Sequence, residues 1–131
     1  MTQKDTTKSL FEATEKANVS LVIVYDNYTA NRELKTGWGF SCFIKTEAVS
    51  ILFDSSADSE ALLSNMQKLK IDPKHIDFVF ISHMHTDHTR DLSGILKIKP
   101  DIKVYKPEFF SGPSQIIDGI WTTGPMGQGI K

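Results

Sequence analysis

The chain has 131 residues, 40% of them hydrophobic, and 15 basic against 16 acidic residues leave a net charge of −1. That length fits one domain with a modest core, and a balance without a basic stripe or acidic tail excludes nucleic acid or an anionic membrane surface as the main partner. A single cysteine, Cys42, excludes an internal disulfide; with no membrane-length apolar run and no signal-like segment in residues 1–8, a soluble cytoplasmic protein is the expectation.

Residues 1–17 are polar and read as a loosely held lead-in, leaving 18–131 as the folded part. Residues 19–25 are β-branched and almost continuously apolar, which predicts a central strand. Asp26 and Asn27 end it, a polar loop follows over 28–35, and Gly37-Trp38-Gly39 marks a tight backbone passage. Residues 40–44 and 49–53 predict a hairpin closed by Lys45-Thr46-Glu47. Trp38 and Phe40 read as aromatic core in preference to the wall of a substrate pocket.

A helix is predicted next. Leu62, Met66 and Leu69 recur at i, i+4 and i+7, Leu63 widens the stripe, and Gln67, Lys68 and Lys70 point away. Ser55, Ser56 or Asp58 is placed to cap its start, and Pro73 to end it. Residues 76–81 predict a buried strand, 91–99 a short helix stopped by Pro100, and 102–105 another strand. Residues 109–113 read as loop, 119–123 as a short strand and 124–129 as a glycine-rich exit. The order β-β-β-α-β-α-β-β is α/β, or α+β in some schemes.

The chemistry concentrates in Ser82-His83-Met84-His85-Thr86-Asp87-His88-Thr89, at the C-terminal end of the predicted 76–81 strand. Three of the four histidines fall within six residues, with a carboxylate between the last two. Ligands in α/β proteins gather at such strand ends, and imidazole with carboxylate suits zinc, iron or manganese. Alternation in an extended loop turns His83 and His85 to one side, with Asp87 and His88 beside them. The two pairs suit two neighbouring ions holding a bridging hydroxide, an arrangement able to attack a phosphoryl or carbonyl group. Elsewhere, His75 reads as a solvated turn residue remote from the cluster, and Cys42 as a buried small hydrophobe. Asp54 ends a strand as the cluster does. It reads either as a carboxylate orienting a ligating histidine or as a helix-entry residue.

The segment 82–89 resembles the H-x-H-x-D-H signature of the metallo-β-lactamase-fold superfamily of metallo-hydrolases. Tyr25-Asp26-Asn27, Trp38-Gly39-Phe40-Ser41, Ile51-Leu52-Phe53-Asp54, residues 65–73 and Ile120-Trp121-Thr122-Thr123-Gly124 resemble one branch of it, labelled dihydropterin-ribofuranosyl-aminobenzene-phosphate synthase-like. The resemblance implies an αββα sandwich of mixed sheets with flanking helices and a site at one edge. It implies His83 and His85 as ligands of a first metal, Asp87 and His88 of a second, with zinc the expected ion and iron or manganese accepted. Asp87 would also position the water or carry its proton, and Asp54, matching the carboxylate of the family's F-D-T-G turn, would stand behind the ligands. The implied reaction is attack of a metal-activated hydroxide on an ester, phosphoester or amide-type bond of a small-molecule substrate.

Departures bear on that reading. Ser55-Ser56 stands where the family usually has Thr-Gly, and Arg90-Asp91 where it has Gly-Gly, so backbone freedom is lost where the chain turns under the site. No histidine follows His88, whereas the family completes its site with later ligands. Two protein ligands per ion fall short of the three that catalytic zinc sites keep. The sequence therefore reads as the N-terminal half of a sandwich, incomplete as a hydrolase. It is expected to need a complementing second half, to self-associate, or to persist as a non-catalytic, weakly metal-binding module.

Overall fold

The computed structural model describes residues 18–83 and 92–126, so the expected lead-in, 1–17, lies outside the described residues. Five strands are hydrogen-bonded in sequence order: β1 (Ser20–Tyr25), β2 (Ser41–Lys45), β3 (Ser50–Phe53), β4 (Phe78–Phe80) and β5 (Lys103–Tyr105). The β1–β2 and β2–β3 pairs are antiparallel, and the β3–β4 and β4–β5 pairs parallel. Helix α1 (Ser59–Lys68) connects β3 to β4, and helix α2 (Leu92–Ile98) lies between β4 and β5. The mixed sheet with flanking helices expected from the sequence is what forms.

The register explains why the strands are apolar on both faces. Val22, Phe43, Leu52, Val79 and Val104 are partners in one row across all five strands. This row packs into a single core with Leu62 and Met66 of α1 and Ile95 of α2. Side chains alternate along a strand, so the rows on either side face the opposite way. Those rows are Leu21, Ile44, Ile51, Phe78 and Lys103, and Ile23, Cys42, Phe53, Phe80 and Tyr105. On this second face Phe53 stacks on Phe80 at 6.1 Å, and Phe78 meets Tyr105 edge-on at 5.2 Å.

A small hairpin of β6 (Ser114–Ile117) and β7 (Ile120–Thr122) forms its own two-stranded sheet. With the second face of the main sheet it bounds an apolar groove of about 660 Å³, lined among others by Ile44, Phe53, Phe80, Ile116, Trp121 and Met126. The chain leaves the hairpin through Gly124 at φ +74, where a Cβ would come within 2.8 Å of the Gly112 carbonyl oxygen. No helix among the described residues is long and apolar enough to cross a membrane.

Three local expectations are corrected. β1 is an edge strand among the described ones, not a central strand. Its apolar residues are real, but Leu21 and Ile23, on the face away from the helices, remain 64% and 54% exposed. Strand β6 was not expected; the Asp118-Gly119 turn, with Gly119 at φ +80, is the signal that folds it back onto β7. Helix α1 stops at Lys68, well before Pro73. Lys70 takes a left-handed backbone (φ 60), and the amides of Lys70 and Ile71 donate to the carbonyls of Gln67 and Met66, closing the helix by a Schellman motif. Pro73 instead opens a 3-10 turn, Pro73–His75. At the other end the cap is Asp58, whose carboxylate accepts from the amide of Ala61.

Asn65 breaks the apolar stripe of α1 and is fully buried. Its Nδ2 donates to the carbonyls of Val24 and Lys35, and its Oδ1 accepts from the amide of Lys35, all at 2.8 Å. One amide thereby ties the helix to β1 and to the long β1–β2 loop. Replacing it, Asn65→Ala, removes the partner of one buried backbone group, the Val24 carbonyl, and of two part-buried ones on Lys35. Urea unfolding should show a loss of roughly 2–4 kcal/mol; a loss below about 0.5 kcal/mol, the range of a neutral surface change, would contradict this role.

Candidate metal centre

Because β1 and β3 both run antiparallel to β2, and β3, β4 and β5 are parallel, four strands end at one edge of the sheet. The loops after Tyr25, Phe53, Phe80 and Tyr105 therefore open at the same edge. This is where open α/β sheets collect ligands, and it is where the histidine cluster begins. The ladder continues one step past the strands: Asp54 donates its amide to the Phe80 carbonyl at 2.9 Å, and Ile81 to that of Tyr105 at 2.9 Å.

Asp54 is 1% exposed and both of its carboxylate oxygens are engaged. Oδ1 accepts from the Ser82 amide at 2.7 Å, and Oδ2 from the Ser82 hydroxyl at 2.6 Å. The same hydroxyl lies 2.9 Å from Nδ1 of His83. Since a serine hydroxyl has one proton and that proton points at Asp54, the bond to His83 requires Nδ1–H as donor. The neutral ring is thus the Nδ1–H tautomer, with Nε2 as its unprotonated nitrogen. Asp58, not Asp54, caps the helix, and the Asp54 carboxylate reaches His83 through the Ser82 hydroxyl. The backbone around it is strained: Asp54 and Ser56 have φ of 60° and 64° without being glycine. Ser56 occupies the position where the resemblance leads one to expect glycine, and it is where a left-handed backbone is needed.

The neighbouring β1–β2 loop is built against this turn. The Ser41 hydroxyl donates to the Asp54 carbonyl at 2.6 Å, and the Ser56 amide to the Phe40 carbonyl at 3.1 Å. Tyr25, buried at the end of β1, has its phenol pushed above the ordinary range by burial and then by the Asp58 carboxylate. A Cβ on Gly37 would collide with the Tyr25 hydroxyl, which accounts for the tight passage at Gly37. Trp38, expected in the core, is 71% exposed instead. The close packing at this passage is between the Gly37 backbone and Tyr25, while the indole beside it stays in solvent.

Of the sequence-predicted ligands, the structure describes His83, exposed at the mouth of β4. His85, Asp87 and His88, together with Arg90 and Asp91, lie outside the described residues, and among the described residues no three His, Cys, Asp or Glu side chains gather. His75 sits in the 3-10 turn preceding β4, at the opposite end of that strand from the cluster. Cys42 is buried, and burial pushes its thiol up, as expected of a small hydrophobe. Ser82 was not singled out by sequence reasoning as a participant; its position between a buried carboxylate and the first histidine was visible only in three dimensions.

A family model described as the beta-lactamase superfamily domain matches residues 50–112. Residues 50–112 thus carry a domain of the metallo-β-lactamase-fold superfamily. The chain is similar to the 7,8-dihydropterin-6-methyl-4-(β-D-ribofuranosyl)-aminobenzene-5′-phosphate synthase of Methanocaldococcus jannaschii, 32% identical over an alignment of 114 residues that covers 78% of this chain and 39% of the relative. A ribonuclease Z of Treponema denticola is 28% identical over 83 residues, 63% of this chain and 26% of the relative. Among solved structures, the metallo-β-lactamase-fold protein YhfI from Bacillus subtilis aligns with a TM-score of 0.51 and 20% identity, covering 69% of this chain and 37% of that one. That likeness concerns the fold. The chain thus spans well under half the length of the curated relatives it matches.

The superfamily domain gives Asp54 a specific test. Asp54→Ala removes both acceptors from Ser82 and places a Cβ without polar compensation in a left-handed backbone, so denaturant unfolding should show a loss of about 3 kcal/mol or more. Asp54→Asn keeps one acceptor and tolerates that backbone, and should lose about half as much. Equal losses in the two variants would show that the carboxylate's bonds to Ser82 are not what holds this turn.

Proposed function

We propose that the chain supplies one face of a metal-dependent hydrolase centre acting on a small-molecule ester, phosphoester or amide-type bond. The observation that carries the reading is the Asp54–Ser82–His83 chain of hydrogen bonds at the edge where four strands end. A ring whose Nδ1 is held by a neighbour and whose Nε2 is unprotonated is the form in which histidine serves as a metal ligand. The donor set of the adjoining sequence, His85, Asp87 and His88, fits zinc, with iron or manganese as accepted alternatives. His83 and His85 would hold one ion, and Asp87 and His88 a second. The ions would supply Lewis acidity and an activated water at neutral pH. Asp87 would orient that water and take its proton.

A phosphate-bearing substrate is favoured within that class, because the names of the similar proteins denote a 5′-phosphate synthase and a ribonuclease. Arg90, where the family usually has glycine, would add a cation beside the ions for such a group. We also propose that the apolar groove is covered in the active assembly by a complementing polypeptide corresponding to the length of the relatives that this chain does not span. A second face carrying Ile44, Phe53 and Phe80 is the kind of surface that is buried in a sandwich.

Equilibrium dialysis against zinc, followed by metal analysis, tests the centre. The chain alone should retain about one ion or fewer, weakly, given two ligands per ion, and His83→Ala should lower retention at least several-fold. It should not hydrolyse bis(4-nitrophenyl) phosphate until a complementing polypeptide is added. Zinc retention unchanged by His83→Ala would remove His83 from the centre and overturn the proposal.

A further inference from the structure

We infer that Glu108 is a further protein ligand of the ion held by His83. The inference rests on the hydrolase reading for the site, and adds to its donor set a carboxylate from the strand beside the histidine cluster. β4 and β5 are parallel, with Phe78, Val79 and Phe80 paired to Lys103, Val104 and Tyr105. The ladder runs on past both strands through the Ile81 amide and the Tyr105 carbonyl, 2.9 Å apart. His83 stands three residues beyond Phe80, and Glu108 three beyond Tyr105, so the register brings the two level at the edge where the site opens. Neighbouring strands lie about 4.8 Å apart, a span that a glutamate and a histidine can close onto one ion. Both residues line the same groove.

Glu108 is carried by a tied-down 3-10 turn, Pro107–Phe109. The amides of Phe109 and Phe110 donate to the carbonyls of Lys106 and Pro107, each at 3.0 Å, and the Phe110 ring returns onto Tyr105 with centroids 6.2 Å apart. The carboxylate serves no visible structural purpose. It is exposed, no hydrogen bond or ion pair among the described residues engages it, and a turn of three residues has little dipole for an acid to offset. Among the described residues lining the groove, His83 and Glu108 are the only titratable ones. A carboxylate on the wall of a groove that is to be covered is costly unless a cation takes it, and the ion at His83 is the cation this site offers. Carboxylate oxygen is an ordinary zinc donor, and catalytic zinc keeps three protein ligands. His83, His85 and Glu108 make that number for one ion and leave the second short, so the chain alone still retains about one.

Equilibrium dialysis of the chain against a range of zinc concentrations tests the assignment. Glu108→Gln, which keeps the shape and removes the charged donor, should weaken zinc binding roughly tenfold or more. Glu60→Gln, which removes an equal charge from the first turn of α1, should leave it unchanged. With cobalt(II) in place of zinc, Glu108→Gln should alter the visible absorption of the bound ion, and Glu60→Gln should not. Unchanged zinc affinity in Glu108→Gln, or an equal loss in Glu60→Gln, overturns the inference. So does an unaltered cobalt spectrum, or a zinc-free Glu108→Gln chain that unfolds at lower urea than its parent. His83→Ala, measured alongside, separates the two proposals. Affinity lost with His83→Ala but not with Glu108→Gln defeats the Glu108 ligand alone, and affinity lost with neither defeats the metal reading as well. A loss with Glu108→Gln alone puts the carboxylate on an ion that His83 does not hold, which overturns both.

Discussion

A buried carboxylate determines how the site end of this protein is put together. Asp54 leaves β3 in a left-handed turn and turns both oxygens to Ser82 at the end of β4. Two parallel strands joined through a helix have no covalent reason to end in register, and this pair of bonds gives them a physical one. Removing a carboxylate from water is costly unless it is hydrogen-bonded, so the turn is stabilised when Ser82 is in place. The first histidine of the cluster follows at the next residue. Its orientation is therefore a consequence of satisfying Asp54, and the strain at Asp54 and Ser56 is accepted where the chain turns under the site.

The rest of the sheet can be understood from its two faces. One row, from Val22 to Val104, is sealed by α1 and α2 and forms the core. The rows on the other face are as apolar, and the β6–β7 hairpin leaves a groove over them. A sheet with hydrophobic side chains on both sides belongs to an architecture that covers both. The superfamily's layered sandwich is such an architecture, which agrees with a chain that spans 39% of its relative from Methanocaldococcus jannaschii. The groove extends to Ser82 and His83 at the candidate site, so whatever covers the groove also bears on that site.

Much of this was legible in the sequence because it was periodic. The Leu62–Met66 stripe, the 40–53 hairpin and the buried 76–81 segment each carry a pattern that one type of element satisfies. What escaped was set by context. The apolar run over 19–25 could not reveal that β1 lies at an edge, since burial on one face and exposure on the other leave the same composition. Residues 114–117 lie between Pro113 and the Asp118-Gly119 turn, and that turn alone marks them as one arm of a hairpin. Pro73 marks a stop for α1 in the sequence, whereas Lys70, with no chemical mark of a left-handed residue, performs it. At the site, the value of Asp54 could be suspected from its place at a strand end. The part played by Ser82 could not, because it depends on two loops meeting from residues 28 positions apart.

The central claim is that Asp54, acting through the Ser82 hydroxyl, sets the ring of His83. Nitrogen-15 NMR of the histidine side chains, at a pH where the rings are neutral and with His83 assigned by the spectrum of His83→Gln, reads this directly. The account predicts that His83 is in the Nδ1–H tautomer and that Ser82→Ala releases it toward the mixture of tautomers seen in free imidazole. An Nε2–H ring in the parent chain, or a tautomer indifferent to Ser82→Ala, would contradict it.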